Sequence, residues 1–123
     1  MTTCVPFLRV SDIAATIRWY ENIGFKCTAT NHLWEPDCEL NWAEMEWQGS
    51  TFMLYPQDEE RESKLRDAGL YFKMDTINGI AANLKGKVKI IEETNETFYG
   101  RKEVVFEDLN GYMITFSSPA NSS

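Results

Sequence analysis

The 123-residue chain contains a single histidine, His32, together with three cysteines and four prolines. One imidazole excludes any metal set drawn from two histidines of the same chain. Cys4, Cys27 and Cys38 are odd in number and form no C-x-x-C pair, a usage expected of reduced thiols in a cytoplasm. Phosphate-cradling G-x-G-x-x-G loops, Walker sequences and a serine nucleophile with a histidine base are also lacking, which removes the dinucleotide, NTPase and common hydrolase readings. Apolar runs extend over only a few residues, and the first dozen residues lack a basic start and a long apolar stretch. Neither a membrane span nor a secretion signal is therefore expected. Positive charge is scarce as well: 12 Lys and Arg against 19 Asp and Glu give a net charge of −7. Such a field disfavours nucleic acid and anionic membrane surfaces as partners.

What is present is a globular mixture of 43% hydrophobic and 25% charged residues, enough for one compact domain or for two small modules that share a core. Residues 4–10, CVPFLRV, read as a strand, and Ser11-Asp12 supplies a helix cap before IAATIRWYENIG. In that helix Ile13, Ile17 and Tyr20 form the apolar stripe, and Gly24 ends it. Weak alternation over Phe25 to Thr30 predicts a second strand. A loop follows over 31–40, and two more strands, 41–47 and 51–55, flank a turn at Gln48-Gly49. QDEERESKLRDAG, residues 57–69, carries eight charged residues in thirteen and reads as a linker.

The order then repeats. LYFKMD (70–75) answers VPFLRV, and TINGIAANLKG answers the first helix with Ile77, Ile80, Ala81 and Leu84 as its stripe. KVKIIEE (87–93), RKEVVFED (101–108) and YMITF (112–116) supply three strands. Gly49 and Gly111 stand 62 positions apart, and Val5 and Leu70 stand 65 apart. The expected architecture is α+β: two β-α-β-β-β modules, about 4–56 and 70–118, forming one domain over 1–123. Each half alone has too little core to be stable, so the modules should bury their sheets together or with a second chain.

With two such halves in view, the run VPFLRVSDIAATIRWYENIGF resembles the opening of the vicinal oxygen chelate superfamily, whose first helix ends in F-Y-x-x-x-L-G-F. Here that end is Trp19-Tyr20-Glu21-Asn22-Ile23-Gly24-Phe25. YGRKEVVFEDLNGYMITF is similar to the superfamily's closing G-x-R-E-F-x-x-x-D-P-D-G-N-x-I-x-F. Gly100, Arg101, Glu103, Asp108, Gly111, Ile114 and Phe116 match, and Leu109 replaces the usual proline. The resemblance spans nearly the whole chain and implies curved sheets that form a cup, usually completed in a homodimer. It does not determine the chemistry, because the superfamily includes glyoxalase I, extradiol dioxygenases, fosfomycin-modifying enzymes and metal-free bleomycin resistance proteins.

Catalytic members hold a divalent metal with His and Glu side chains of the first and last strands. Carried over residue by residue, those positions fall on Val5, Leu70, Met53 and Thr115. Val, Leu and Met offer no hard donor, and one neutral hydroxyl cannot offset dehydration of a divalent ion, so no metal, no cofactor and no catalytic residue are expected. A register slip of one residue would present Pro6, Tyr71 and Ile114 instead, and recovers no ligand.

Alternation predicts an apolar, aromatic cup lined by Val5, Phe7 and Arg9, by Met53 and Tyr55, and by Leu70, Phe72 and Met74. The candidate ligand-binding residues are Phe7, Arg9, Trp34, Trp42, Glu44, Trp47, Tyr55, Phe72 and Tyr112. Trp34 lies in a loop beside Glu35, Asp37 and Glu39, a composition that suits a flat cation through stacking and charge attraction. Arg9 either binds an acidic group on a ligand or pairs with a neighbouring Glu. Together with the cysteine usage and the aromatic lining, the resemblance leads to the expectation of a cytoplasmic homodimer that sequesters a hydrophobic or cationic aromatic small molecule, as in antibiotic resistance. Two alternatives stand beside it: a metal-dependent lyase, isomerase or dioxygenase using Glu44, Glu46, Glu103 or His32, and a non-catalytic interaction module.

Overall fold

The structure is a computed structural model that describes residues 3–32, 40–57 and 68–120. The chain divides into two compact units, Met1–Lys64 and Leu65–Ser123. Each is a four-stranded sheet with one helix, an α+β arrangement in which the β-α-β-β-β order occurs twice.

In the first unit β1 (Phe7–Val10) leads into α1 (Ile13–Asn22), followed by β2 (Lys26–His32), β3 (Leu40–Trp47) and β4 (Ser50–Pro56). Asp12 caps α1: its carboxylate accepts a hydrogen bond from the Ala15 amide at 3.0 Å, satisfying one of the orphan donors of the first turn. The stripe of Ile13, Thr16, Ile17 and Tyr20 is buried. The sheet order is β1-β4-β3-β2, with β1 parallel to β4 and the other pairs antiparallel. Leu8, Val10, Ala43, Met45, Phe52 and Leu54 are buried, and their strand parity sets them on one face of the sheet. At the centre of that face the Tyr20 ring meets Phe25 at 5.0 Å and Phe52 at 5.1 Å, both edge-on. Such geometry suits the ring quadrupoles and adds to the area term.

The second unit is built the same way from β5 (Gly69–Lys73), α2 (Asn78–Leu84), β6 (Lys89–Glu96), β7 (Arg101–Glu107) and β8 (Met113–Pro119), in sheet order β5-β8-β7-β6. Val104, Phe106, Ile114 and Phe116 are its buried sheet face, and Ile77 and Leu84 of the α2 segment are fully buried. The β7–β8 connection is held by the buried Asp108, whose Oδ1 accepts from the amides of Asn110 at 2.8 Å and Tyr112 at 2.9 Å. An aspartate serves here because its short carboxylate reaches backbone donors two and four residues on. Among the described residues no helix is long and apolar enough to cross a membrane.

The strand pairing shifts the expected equivalence between the halves by one residue. Phe7 lies opposite Met53, whereas Tyr71, not Leu70 or Phe72, lies opposite Thr115. The second-unit mate of Phe7 is therefore Tyr71, and the mate of Val5 is Gly69 rather than Leu70. Because side chains alternate with a period of two, this single-residue offset moves Leu70, Phe72 and Met74 to the helix side. Phe72 accordingly packs edge-on against the buried Phe116 at 5.7 Å.

Candidate functional site

Each sheet has one face covered by its helix and one open face, and the open faces carry the chemistry. In the first unit Phe7, Arg9, Met53, Tyr55, Trp42, Glu44 and Glu46 share the open face by strand parity. Phe7 is 54% exposed and meets Tyr55 edge-on at 5.2 Å. The Arg9 guanidinium lies 5.7 Å from the Phe7 ring centre and 5.2 Å from that of Tyr55, and donates to the Pro56 carbonyl at 3.2 Å. The two rings and this carbonyl hold the cation in place, so Arg9 stiffens the patch while leaving it aromatic. Glu44 faces Met53 across the β3–β4 pairing and accepts from the Thr28 hydroxyl at 2.7 Å. Five of the candidate residues, Phe7, Arg9, Trp42, Glu44 and Tyr55, thus come together on one surface.

The others do not join them. Trp47 lies against Phe25 at 4.9 Å, and its ring comes within 2.8 Å of where a side chain at Gly24 would begin. It lies on the helix side, partly buried, because it continues the parity of Ala43 and Met45. Tyr112 is buried beside the Asp108 turn and shares the parity of Ile114 and Phe116. Phe72 belongs to the helix side, as described above. Trp34 and Cys38, with the side chain of His32, lie outside the described residues. Cys27 donates to the Ala29 carbonyl at 3.6 Å, and burial pushes its thiol pKa up, the opposite of what an activated nucleophile needs.

The open face of the second unit is polar, and sequence alternation alone did not foresee its network. Glu103, only 8% exposed, receives Tyr71 and Ser117 on one carboxylate oxygen and Tyr99 on the other. The Ser117 bond is 3.2 Å and the Tyr99 bond 2.9 Å. Ser117 Oγ also stands 2.8 Å from the Tyr71 hydroxyl and accepts from Arg101 Nε at 2.6 Å. Burial alone would raise the Glu103 pKa; the hydroxyl donors, with Arg101 nearby, more than offset it and hold the carboxyl below its ordinary value. The hydrogen bond to that carboxylate in turn pushes the Tyr99 phenol up. Arg101 and Glu103 belong to the G-x-R-E stretch of the sequence. The strand parity of Tyr71 and Ser117 was the signal that could have added them.

The positions at which related enzymes hold a metal do not suit one here. Met53 and Thr115 lie opposite Phe7 and Tyr71, and Gly69 takes the place assigned to Leu70. A glycine offers no donor, and a Cβ built there would meet the Met113 carbonyl oxygen at 2.8 Å. Among the described residues no three His, Cys, Asp or Glu side chains converge as a metal set.

This architecture defines a class. A model of the Glyoxalase/Bleomycin resistance protein/Dioxygenase superfamily matches residues 3–116, and the chain belongs to that superfamily. Its fold is shared by TioX from Micromonospora sp. ML1, with a TM-score of 0.77, 13% identity and 99% of each chain covered. It is shared by the bleomycin resistance determinant encoded on the transposon Tn5, at TM-score 0.75 and 13% identity over 97% of this chain and 98% of that one. A bleomycin-binding protein complexed with bleomycin gives a TM-score of 0.72 and 13% identity over 96% of this chain and 98% of the other. At such identity the likeness is one of fold, the α+β glyoxalase/bleomycin resistance-like fold. No curated protein sequence matches the chain.

Proposed function

We propose that this protein is a metal-independent small-molecule binder that sequesters a hydrophobic or cationic aromatic ligand, in a cleft completed by a second copy of the chain in the cytoplasm. The observation that carries the reading is the half-exposed aromatic patch of the first unit, Phe7 on Tyr55 with Met53 and Trp42 on the same face and the Glu44 carboxylate beside them. Rings left in water at that cost find their use when a ligand covers them: each fully buried aromatic contributes about 1.5–3 kcal/mol. Glu44 supplies the charge preference, and a hydroxyl bond to Thr28 keeps its carboxylate in place. The likeness in fold to bleomycin-binding and bleomycin resistance proteins supports the same reading. Sequestration asks only for tight holding, so the lack of hard donors at the metal positions costs such a protein nothing.

Calorimetry and thermal-shift measurements with bleomycin and with flat aromatic cations, with and without chelator, test the proposal. Micromolar or tighter binding that chelator leaves unchanged, together with a dimer in light scattering, is the expected outcome. Absence of binding across the whole set, or metal dependence, refutes it. Phe7→Ala should weaken binding by roughly tenfold, the loss of one aromatic contact, while the melting temperature stays nearly constant because the ring is half in solvent already.

A further inference from the structure

The Glu103 network contains a choice of partners that a purely structural cluster would not need. A guanidinium beside a buried carboxylate ordinarily forms the bidentate pair that satisfies both. Here hydroxyls satisfy the carboxylate instead: Tyr71 and Ser117 bond one oxygen and Tyr99 the other. Arg101 is connected only through its Nε, which donates to Ser117 Oγ at 2.6 Å. Among the described residues its two terminal amino groups have no hydrogen-bond or ion-pair partner. The planar fork is therefore fixed on its inner edge and open on its outer edge. Lys73, exposed and opposite Ser117 in the β5–β8 pairing, has the strand parity of Tyr71 and so adds a second cation to the same face. The rings of Tyr71 and Tyr99, 48% and 52% exposed, stand on either side of the carboxylate that pins their hydroxyls.

We infer that Arg101, held by Ser117 and flanked by Lys73, Tyr71 and Tyr99, is a subsite on the second unit for a planar oxyanion attached to an aromatic group, an aryl carboxylate above all. Glu103 makes no hydrogen bond to the fork, its oxygens accepting instead from Tyr71, Ser117 and Tyr99, and the two cations Arg101 and Lys73 outnumber its single negative charge. Its part is to lock Ser117, and through Ser117 the plane of Arg101. A carboxylate matches the two parallel donors of the open edge, whereas a tetrahedral phosphate uses them less well, and a neutral amide lacks the charge. The inference rests on the reading of the chain as a ligand binder and narrows it, since the ligand would then carry an acidic group besides its aromatic body.

The test uses benzoate, phenyl phosphate and benzamide with the full chain, followed by calorimetry and by the Arg101 Nε–H resonance. Benzoate is expected to bind at least about tenfold more tightly than benzamide, in line with a charged hydrogen-bonded pair, and to shift that resonance. Arg101→Gln should abolish the difference by weakening benzoate to the level of benzamide. Arg101→Lys should retain only part of it. Phenyl phosphate bound more tightly than benzoate would overturn the planar-acid assignment. Equal binding of benzoate and benzamide, or a preference that survives Arg101→Gln, would overturn the subsite itself. Should Arg101→Gln fail to fold, the wild-type comparison and the resonance decide the question alone. These outcomes are separable from the sequestration proposal, which is decided by bleomycin and the aromatic cations and fails if they do not bind or bind only with a metal.

Discussion

Replacing Gly69 by alanine adds one methyl group at a place where the backbone leaves no room for it. The new Cβ would sit 2.8 Å from the Met113 carbonyl oxygen, well inside the usual contact distance, and that oxygen belongs to the strand paired directly with β5. A flexible side chain could swing away; a carbonyl in a ladder can move only by disturbing its own hydrogen bonds. Overpacking of this kind costs about 1–3 kcal/mol. Against it stands the gain of about 0.4–1 kcal/mol from a less flexible unfolded chain. The clash wins, and a net loss of roughly 1–2 kcal/mol is expected. Urea unfolding should show a lower midpoint at an unchanged slope, and the melting temperature should fall by roughly 2–8 °C for each kcal/mol lost. A Gly69→Ala variant as stable as the parent would show that the β5–β8 spacing is looser than described. The same steric fact predicts that Gly69→His, the change that would restore a metal-type side chain to this strand, is at least as destabilising.

Two further predictions concern the core and the acid range. Phe52→Ala removes a ring that is 1% exposed and contacts both Tyr20 and Phe25, so a loss of about 3–5 kcal/mol is expected in denaturant melts; a loss below about 1 kcal/mol would contradict the packing. Glu103 has a folded-state pKa below its ordinary value, so its contribution is complete above the unfolded carboxyl pKa of about 4.3 and is lost as pH falls through the lower folded value. Stability measured from about pH 5 down to the acid limit should decline less steeply in Glu103→Gln, and an identical profile would mean that the hydroxyl network does not favour the ionised form.

Much of the architecture was legible in the order of residues, and the reasons are local. Asp12 before a 3.6-residue stripe of Ile13, Ile17 and Tyr20 announces α1, and the alternation of Phe52 and Leu54 with Met53 and Tyr55 separates the two faces of β4. The same local rules miscarry where register is decided by another strand. Nothing within LYFKMD says whether Leu70 or Tyr71 faces the helix; the pairing with β8 decides it, and it reverses the assignment of Phe72. Trp47 and Tyr112 look like ligand aromatics by type, yet parity with Met45 and with Ile114 turns them to the helix side, where Trp47 packs on Phe25 and Tyr112 is buried. Arg101, Glu103 and Ser117 come from two strands and Tyr71 from a third, so their convergence is a property of the sheet and is carried by no single stretch of chain.

The parallel pairing of β1 with β4 has a consequence for how the chain emerges during synthesis. Phe7 finds its neighbour only when Met53 has been made, so the first strand must wait, apolar side chains bare, while everything between is translated. The second half imposes the same delay on β5, whose partner β8 follows β6 and β7. Such late closure of distant segments slows folding and lengthens the interval of exposure to aggregation. Growth conditions that slow elongation should therefore weigh on soluble yield through these two edge strands before any others.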